Sequence, residues 1–395
     1  MIHLADYSQC TACGACMSQC HRGCISMKED ECGILLPEID ASRCVQCHAC
    51  EEICPVQHPL KQNKPMKAFA AWSCDEEERR TSASGGIAIE IYKYALKLGY
   101  VAIGASQNAD LSVTHKMASF EDELRPFKNS KYVFSSMYDV FSEMRPLLKA
   151  GKNIVFIGLP CQVAAIRSLF HDEKQPLLVE VVCHGTTPLS YLKQHVSRLE
   201  KKYGKGVSRM SFRDPAALTE TFTFSLYDSD DTCFYSKRTR DGDSYQYGYH
   251  RAISYRENCY HCQYASENRI ADITLNDGKG FGIISPFHYS RRKTSTIICN
   301  TEKGLKVISN LIAKQAIFAD ERPLEEPMSS DPRLKSPSPK SSDRLLFEKL
   351  IKQNQGDFEK TMSAIMNNNR MKDRINYMKK DVLLFLRSIK HRFFK

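Results

Sequence analysis

Cys10-Thr11-Ala12-Cys13-Gly14-Ala15-Cys16-Met17-Ser18-Gln19-Cys20 and, further on, Cys44-Val45-Gln46-Cys47-His48-Ala49-Cys50-Glu51-Glu52-Ile53-Cys54-Pro55 are the stretches that decide how this chain is read. Both follow the spacing C-x2-C-x2-C-x3-C. Three thiolates at two-residue gaps in a tight loop can grip three irons of one [4Fe–4S] cube, and the fourth, which opens the next element, reaches the other cube. By that rule Cys10, Cys13, Cys16 and Cys54 form one ligand set, and Cys44, Cys47, Cys50 and Cys20 the other. Zinc or unliganded thiols would not require two copies of the pattern at matched spacing. One difference separates the copies: His21 stands where the second copy has Pro55.

The rest of the composition agrees with metal ligation. Ten of the 17 cysteines of this 395-residue chain fall within its first 54 residues. An odd count, a long chain and no basic-then-apolar leader among Met1 to Asp6 argue against a disulfide scaffold and a secretory signal, and for a reducing cytosol. The length predicts two or three domains. The formal charge of +10 is dispersed except at the C-terminus, which does not suggest a nucleic-acid binder. Cys24 and Cys32 lie outside the repeat and read as packing thiols. Residues 1–58 resemble bacterial two-cluster ferredoxins, in which the repeats are related by pseudo-twofold symmetry.

After a polar, proline-flanked linker at 58–66, a larger domain is predicted over 66–326. Ala68–Trp72 reads as a strand. Ser82-Ala83-Ser84-Gly85-Gly86 leads into a helix whose apolar positions 87, 91, 95 and 98 keep helical spacing until Gly99. Backbone N–H groups at such a start can receive a phosphate or another anion. Val101–Ala105 and Ile154–Gly158 read as strands. A short helix from Val163 to Phe170 and a third strand, Leu177–Val182, complete a strand–helix–strand unit, which makes its strands parallel. Cys161 and Cys183 then emerge at the same sheet edge, where open α/β sheets place ligands. With Cys259 and Cys262 they could make a third cluster, although a lone C-x2-C also suits half a zinc site or a redox dithiol. The fold class is therefore α+β or α/β: a small ferredoxin-like module, a larger mixed domain and a helical C-terminal tail.

Ser-x-Ser-Gly-Gly at 82–86, Asn-Ser-Lys-Tyr at 129–132, Gly-Leu-Pro-Cys-Gln at 158–162, Cys-His-Gly at 183–185, Cys-x2-Cys at 259–262 and Ala-Asp-Ile-Thr at 271–274 occur in that order. The set resembles the family of beta subunits of coenzyme F420 hydrogenases and dehydrogenases, over roughly residues 5–330 and including its usual fused ferredoxin. The resemblance implies an iron–sulfur flavoprotein holding FAD or another flavin. It implies that Ser84, Gly85 and Gly86 approach the flavin with Lys131 and Tyr132 nearby, and that Cys161, Cys183, Cys259 and Cys262 ligate the third cluster. Leu275-Asn276-Asp277-Gly278-Lys279-Gly280-Phe281-Gly282 departs from the family's Gly-Asp step, keeping only the acid at Asp277, which puts deazaflavin use in doubt. Members also occur in bacterial polysaccharide gene clusters, so surface-polymer metabolism is one expected setting.

Residues 327–395 read as a Ser/Pro/Lys-rich connector and a basic helical tail. The interleaved basic and apolar residues from Val382 to Lys395 suit an anionic membrane surface, an acidic partner, or packing on the protein itself. The expected function is an iron–sulfur oxidoreductase in the cytoplasm, with peripheral contact at the inner membrane face as an option. Its partner would be a redox protein or a small electron carrier. The alternatives are an electron-transfer subunit without catalysis of its own, and a structural or redox-sensing metal-binding protein. No catalytic acid or base is named by the sequence; His184 is the first candidate, and Arg213 and Asp214 could bind an anionic substrate or form an ion pair.

Overall fold

A computed structural model describes residues 2–171 and 176–393, with the side chains of 380, 381 and 383–393 excepted. The ferredoxin-like module carries its duplication in the backbone. Helix Ala15–Gln19 follows the first cysteine loop and helix Ala49–Glu52 the second, with an antiparallel hairpin of Ile25–Glu29 and Leu35–Ile39 between them. Left-handed residues recur at matched positions: Ala12 (φ 50°) and Gln46 (φ 53°) lie two residues after the first cysteine of each copy. Gly14 (φ 83°) and His48 (φ 61°) lie four after. Three of the four are not glycine, and a left-handed Ala, Gln or His is strained backbone that must be held by its surroundings.

The larger domain is built on a sheet in the order Ile317–Arg322, Lys67–Ser73, Ser295–Cys299, Ile273–Asp277, Leu177–Val181, Ile154–Gly158, Val101–Gln107, Val113–Ala118, Ser135–Ser136. The central four strands, from Ile273–Asp277 to Val101–Gln107, are parallel, as the strand–helix–strand reading requires. Antiparallel strands flank them, so the domain is mixed α/β. Helices Ile87–Lys97 and Glu302–Ala313 cover one face, burying Ile87, Ile91, Ile308 and Leu311 against Val155, Val179, Ile273 and Ile297. Helices Tyr138–Lys149 and Pro160–Leu169 cover the other, and Ala15 and Ile53 of the ferredoxin-like module join that core. The two parts therefore share one apolar interior.

A further layer packs helix Leu189–Tyr203 and the small sheet of Arg209–Ser211, Thr223–Tyr227 and Cys233–Arg238 against helices Ser244–His250 and Ser342–Gln353. The long helix Phe358–Phe393 docks there through Phe358, Met362 and Ile365. The stretch 327–343 is packed rather than extended: Asp331, Leu334 and Ser338 are buried within it. No helix among the described residues is long and apolar enough to cross a membrane. Most of the basic-apolar run Val382–Lys395 has side chains outside the described residues.

Candidate functional site

Helix Pro160–Leu169 begins three residues earlier than its apolar pattern implies, which places Cys161 in its first turn. Pro160 starts the helix without losing a needed N–H. Gln162 fastens it: its Oε1 accepts from Leu159 N (2.9 Å), and its Nε2 donates to Ser135 O and Oγ (3.0 Å each). Cys183 follows the neighbouring parallel strand, and Gly185 (φ 140°) lies beneath the Tyr255 ring, where a side chain has no room. Cys259 and Cys262 come from the short turn Glu257–His261. That turn is anchored by Arg256 N donating to Thr186 O (2.9 Å), and Thr186 N in turn donates to Cys259 Sγ (3.4 Å). All four cysteines line one pocket.

Cys10, Cys13, Cys16 and Cys54 line a second pocket, including the cysteine that the spacing rule borrows from the other copy. Cys20, Cys44 and Cys50 share one small apolar cluster, which also takes in Cys16, while Cys47 is exposed. Cys24 joins that group, its Sγ 3.3 Å from Cys20 Sγ. Burial pushes the Cys13 and Cys262 thiols up to about 11, and Cys161 well above the usual thiol range with the neighbouring thiols adding to it. At these three buried positions a thiolate is favoured only beside a cation, which is the condition under which metal binding and proton release are coupled. Among the described residues no three His, Cys, Asp or Glu side chains converge on one point that could hold a single metal ion. Thiolates that each bind a separate iron at a corner of a cube need no such point. The strained cysteine loops, the four-cysteine pockets and their donor chemistry fit iron–sulfur clusters.

Beside the pocket of Cys161, Cys183, Cys259 and Cys262 lies a cavity of about 510 Å³. Ser135, Leu159, Gln162, Cys183, His184, Gly185 and Thr186 belong to the walls of both. Of the residues expected beside a flavin, Ser84, Gly86, Lys131 and Tyr132 line the cavity. Gly85 is turned away: its N–H donates to Ser295 Oγ (2.8 Å), and its missing side chain makes room for the strand backbone at Ala71 and Ser295. Lys131 donates to the carbonyls of Pro126 and Lys128 (2.8 Å each), and burial lowers its pKa to about 7. Tyr132 stacks on Tyr249 at 4.3 Å.

Arg213 does not pair with Asp214. It grips Asp277 through both carboxylate oxygens (3.0 and 2.9 Å) on the cavity wall, whereas Asp214 caps a short turn and accepts from Tyr227 OH. The acid kept in the divergent loop is therefore an arginine partner. His184 Nε2 faces Asp331 Oδ2 (3.2 Å), and Ser338 Oγ donates to His184 O (2.7 Å), so the C-terminal stretch closes over this corner.

Sequence reasoning missed His115 on the cavity wall, and it quoted Asn129 only as the first residue of the Asn-Ser-Lys-Tyr motif, with no role of its own. His115 is buried, burial lowers its pKa to about 4, and its Nδ1 faces Ser136 O (3.3 Å), which leaves Nε2 without a partner. Asn129 Oδ1 is likewise buried and unpartnered, at a left-handed residue (φ 67°). Orphaned polar atoms on the wall of a cavity of this size fit a polar organic ligand that completes them. No single-residue signal marks either one, because each becomes polar wall only through the fold.

Residues 9–58 match the family model described as "4Fe-4S dicluster domain". Residues 151–323 match the model for the C terminus of the coenzyme F420 hydrogenase/dehydrogenase beta chain. A curated relative is the F subunit of the F(420)H(2) dehydrogenase of Methanosarcina mazei, 24% identical over 189 residues that cover 45% of this chain and 54% of the relative. The chain thus spans about half the length of that protein. A chain of the F420-reducing [NiFe] hydrogenase complex from Methanosarcina barkeri is similar at 19% identity with a TM-score of 0.44, covering 76% of this chain and 92% of that one. The 4Fe-4S dicluster module at 9–58 thus leads into a region, 151–323, that belongs to the C-terminal domain of the coenzyme F420 hydrogenase/dehydrogenase beta subunits.

Proposed function

We propose that this protein is the electron-transfer subunit of an oxidoreductase, holding three [4Fe–4S] clusters and a flavin beside the third. Cys10, Cys13, Cys16 and Cys54 would hold the first cluster, Cys20, Cys44, Cys47 and Cys50 the second, and Cys161, Cys183, Cys259 and Cys262 the third. Clusters supply one-electron transfer, and a flavin interconverts single electrons and a hydride.

The observation that carries this reading is a pair of shared walls. Thr11, Ala12 and Cys13 line both the pocket of Cys10, Cys13, Cys16 and Cys54 and that of Cys161, Cys183, Cys259 and Cys262; the latter shares its opposite wall with the large cavity. The first cysteine pocket thus adjoins the third, and the third adjoins the cavity, while Cys47 of the second set is exposed.

The residues of the cavity have separate tasks in this reading. His115 Nε2, with its ring proton directed to Ser136 O, is an acceptor for an N–H or O–H of the bound ring system. Lys131 and the Arg213–Asp277 pair give the wall polar groups, and the Tyr132–Tyr249 pair offers an aromatic face. A redox partner protein or small carrier would meet the module at the end where Cys47 and Val45 are exposed. The name of the Methanosarcina mazei relative makes the coenzyme F420 couple the first candidate for the cavity's substrate.

Iron, sulfide and flavin content of anaerobically purified protein tests the reading. About twelve irons and one flavin per chain are expected. About eight irons without flavin would overturn the third cluster and the flavin and leave a dicluster carrier.

A further inference from the structure

Five arginines are buried among the described residues, and four of them have carboxylate partners. Arg213 pairs with Asp277, Arg269 with Glu180, Arg322 with Asp320 and Glu326, and Arg344 with Glu257 and Glu348. Arg256, 2% exposed, has no carboxylate partner among the described residues. Its Nη1 donates to Thr11 O (3.3 Å), its Nη2 to Leu35 O (3.0 Å), its Nε has no partner, and its guanidinium lies 4.6 Å from the Phe134 ring centroid. A buried cation is costly unless an anion compensates it, and carbonyl dipoles and one aromatic face compensate it only in part.

The place of this charge is specific. Thr11 lies between Cys10 and Cys13, on the wall shared by the first and third cysteine pockets. Arg256 itself leads into the turn that carries Cys259 and Cys262. The guanidinium therefore sits behind the shared wall, held to Thr11 of both linings and against the Phe134 ring of the third pocket. A cube bound by four thiolates carries net negative charge, which grows by one unit on reduction, and a nearby fixed cation favours the more negative state.

We propose that Arg256 is a tuning residue whose buried charge serves as the counter-ion shared by the first and third clusters, raising their reduction potentials and favouring electron residence at the junction of the two domains. This rests on both clusters being present, and it goes beyond their assignment by giving one side chain a measurable electronic role. The one-electron step it biases is the reduction of a cluster by the redox partner, with no proton or group transferred.

The test is an EPR-monitored redox titration of the full-length wild type, Arg256→Gln and Arg256→Lys, with iron counted in each. In Arg256→Gln, which keeps hydrogen-bond donors but not the charge, the reduction equilibrium of the affected clusters is expected to fall at least tenfold, about 59 mV for one electron. Arg256→Lys is expected to stay within tenfold of wild type. Potentials unchanged in a fully loaded Arg256→Gln protein overturn the proposal. Should Arg256→Gln not retain its iron, a loaded Arg256→Lys protein displaced by tenfold or more overturns it, as does loss of clusters from both variants, which would leave Arg256 a structural staple. A wild type without the signal of a third cluster would overturn the cluster assignment instead.

Discussion

Gly14 shows how closely the cysteine loops are dimensioned. Its φ of 83° suits glycine, and a side chain there would run into the Tyr138 ring, whose hydroxyl donates to Ala12 O (3.0 Å). The same tyrosine belongs to a helix of the larger domain, so the crowding couples the loop to the interdomain contact. Gly14→Ala is expected to destabilise the protein by at least about 1 kcal/mol and to lower the iron retained per chain, checked by denaturant titration beside an iron assay. The thiols were legible because chelation imposes spacing: even the crossing of Cys54 into the first pocket follows from how three adjacent ligands occupy a cube. His115, Asn129 and the Arg213–Asp277 pair were not legible. Their chemistry depends on contacts between residues far apart in the chain, such as Arg213 and Asp277, or on a missing contact, and a pattern search registers neither.

Among the elements, the long C-terminal helix owes its position to a buried ionic cluster. His195 sits between Asp243 Oδ2 (2.9 Å) and Glu359 Oε1 (2.7 Å), joining the helices Leu189–Tyr203 and Phe358–Phe393 to the start of Ser244–His250. Burial disfavours the charged ring, but Asp243 and Glu359 together outweigh it and raise its pKa from 6.5 to about 9. A folded-state pKa above the unfolded one stabilises at low pH. The contribution is complete below about pH 6.5 and is lost as pH rises through about 9, with a total of up to about 3 kcal/mol. Thermal melts across that window are expected to show stability falling with pH in the wild type. His195→Gln should lack this slope and, by leaving Asp243 with Tyr235 OH and Gln246 N but no cation, lose up to about 3 kcal/mol at neutral pH. The helical character of this tail was legible from its pattern. Its packing was not, because apolar positions such as Phe358, Met362 and Ile365 do not name the surface they meet. Likewise the Ser/Pro/Lys composition of 327–343 described a linker, while burial of Asp331, Leu334 and Ser338 gave it a place in the wall.

At the scale of the whole molecule, the parallel strands bring Cys161 and Cys183 to one edge, as the strand–helix–strand rule requires. The shared apolar core then sets the ferredoxin-like module against that edge. The arrangement predicts that damage to the third site is local. Cys259→Ser is expected to cost about four of roughly twelve irons and to leave the dicluster module's spectrum intact. It should also abolish reduction of a cavity-bound acceptor by externally reduced protein. Iron analysis with EPR and a stopped-flow reduction assay check both parts; loss of all the iron would mean that the two domains assemble as one unit. The fold class and the cysteine frame were legible at this scale, since repeats and parallel units have few solutions. The juxtaposition of the pockets was not, because it depends on how two separately readable parts meet.

Pro337 and Ser338 help to wall the pocket of Cys161, Cys183, Cys259 and Cys262, and Ser338 holds the carbonyl of His184. A ribosome delivers those residues late. The dicluster loops are complete by residue 54 and emerge early, whereas the third pocket lacks part of its enclosure until 338 has emerged. On the proposed assignment, maturation would be staged by translation: the dicluster centres could be installed on a nascent chain, and the third would wait for a nearly finished one.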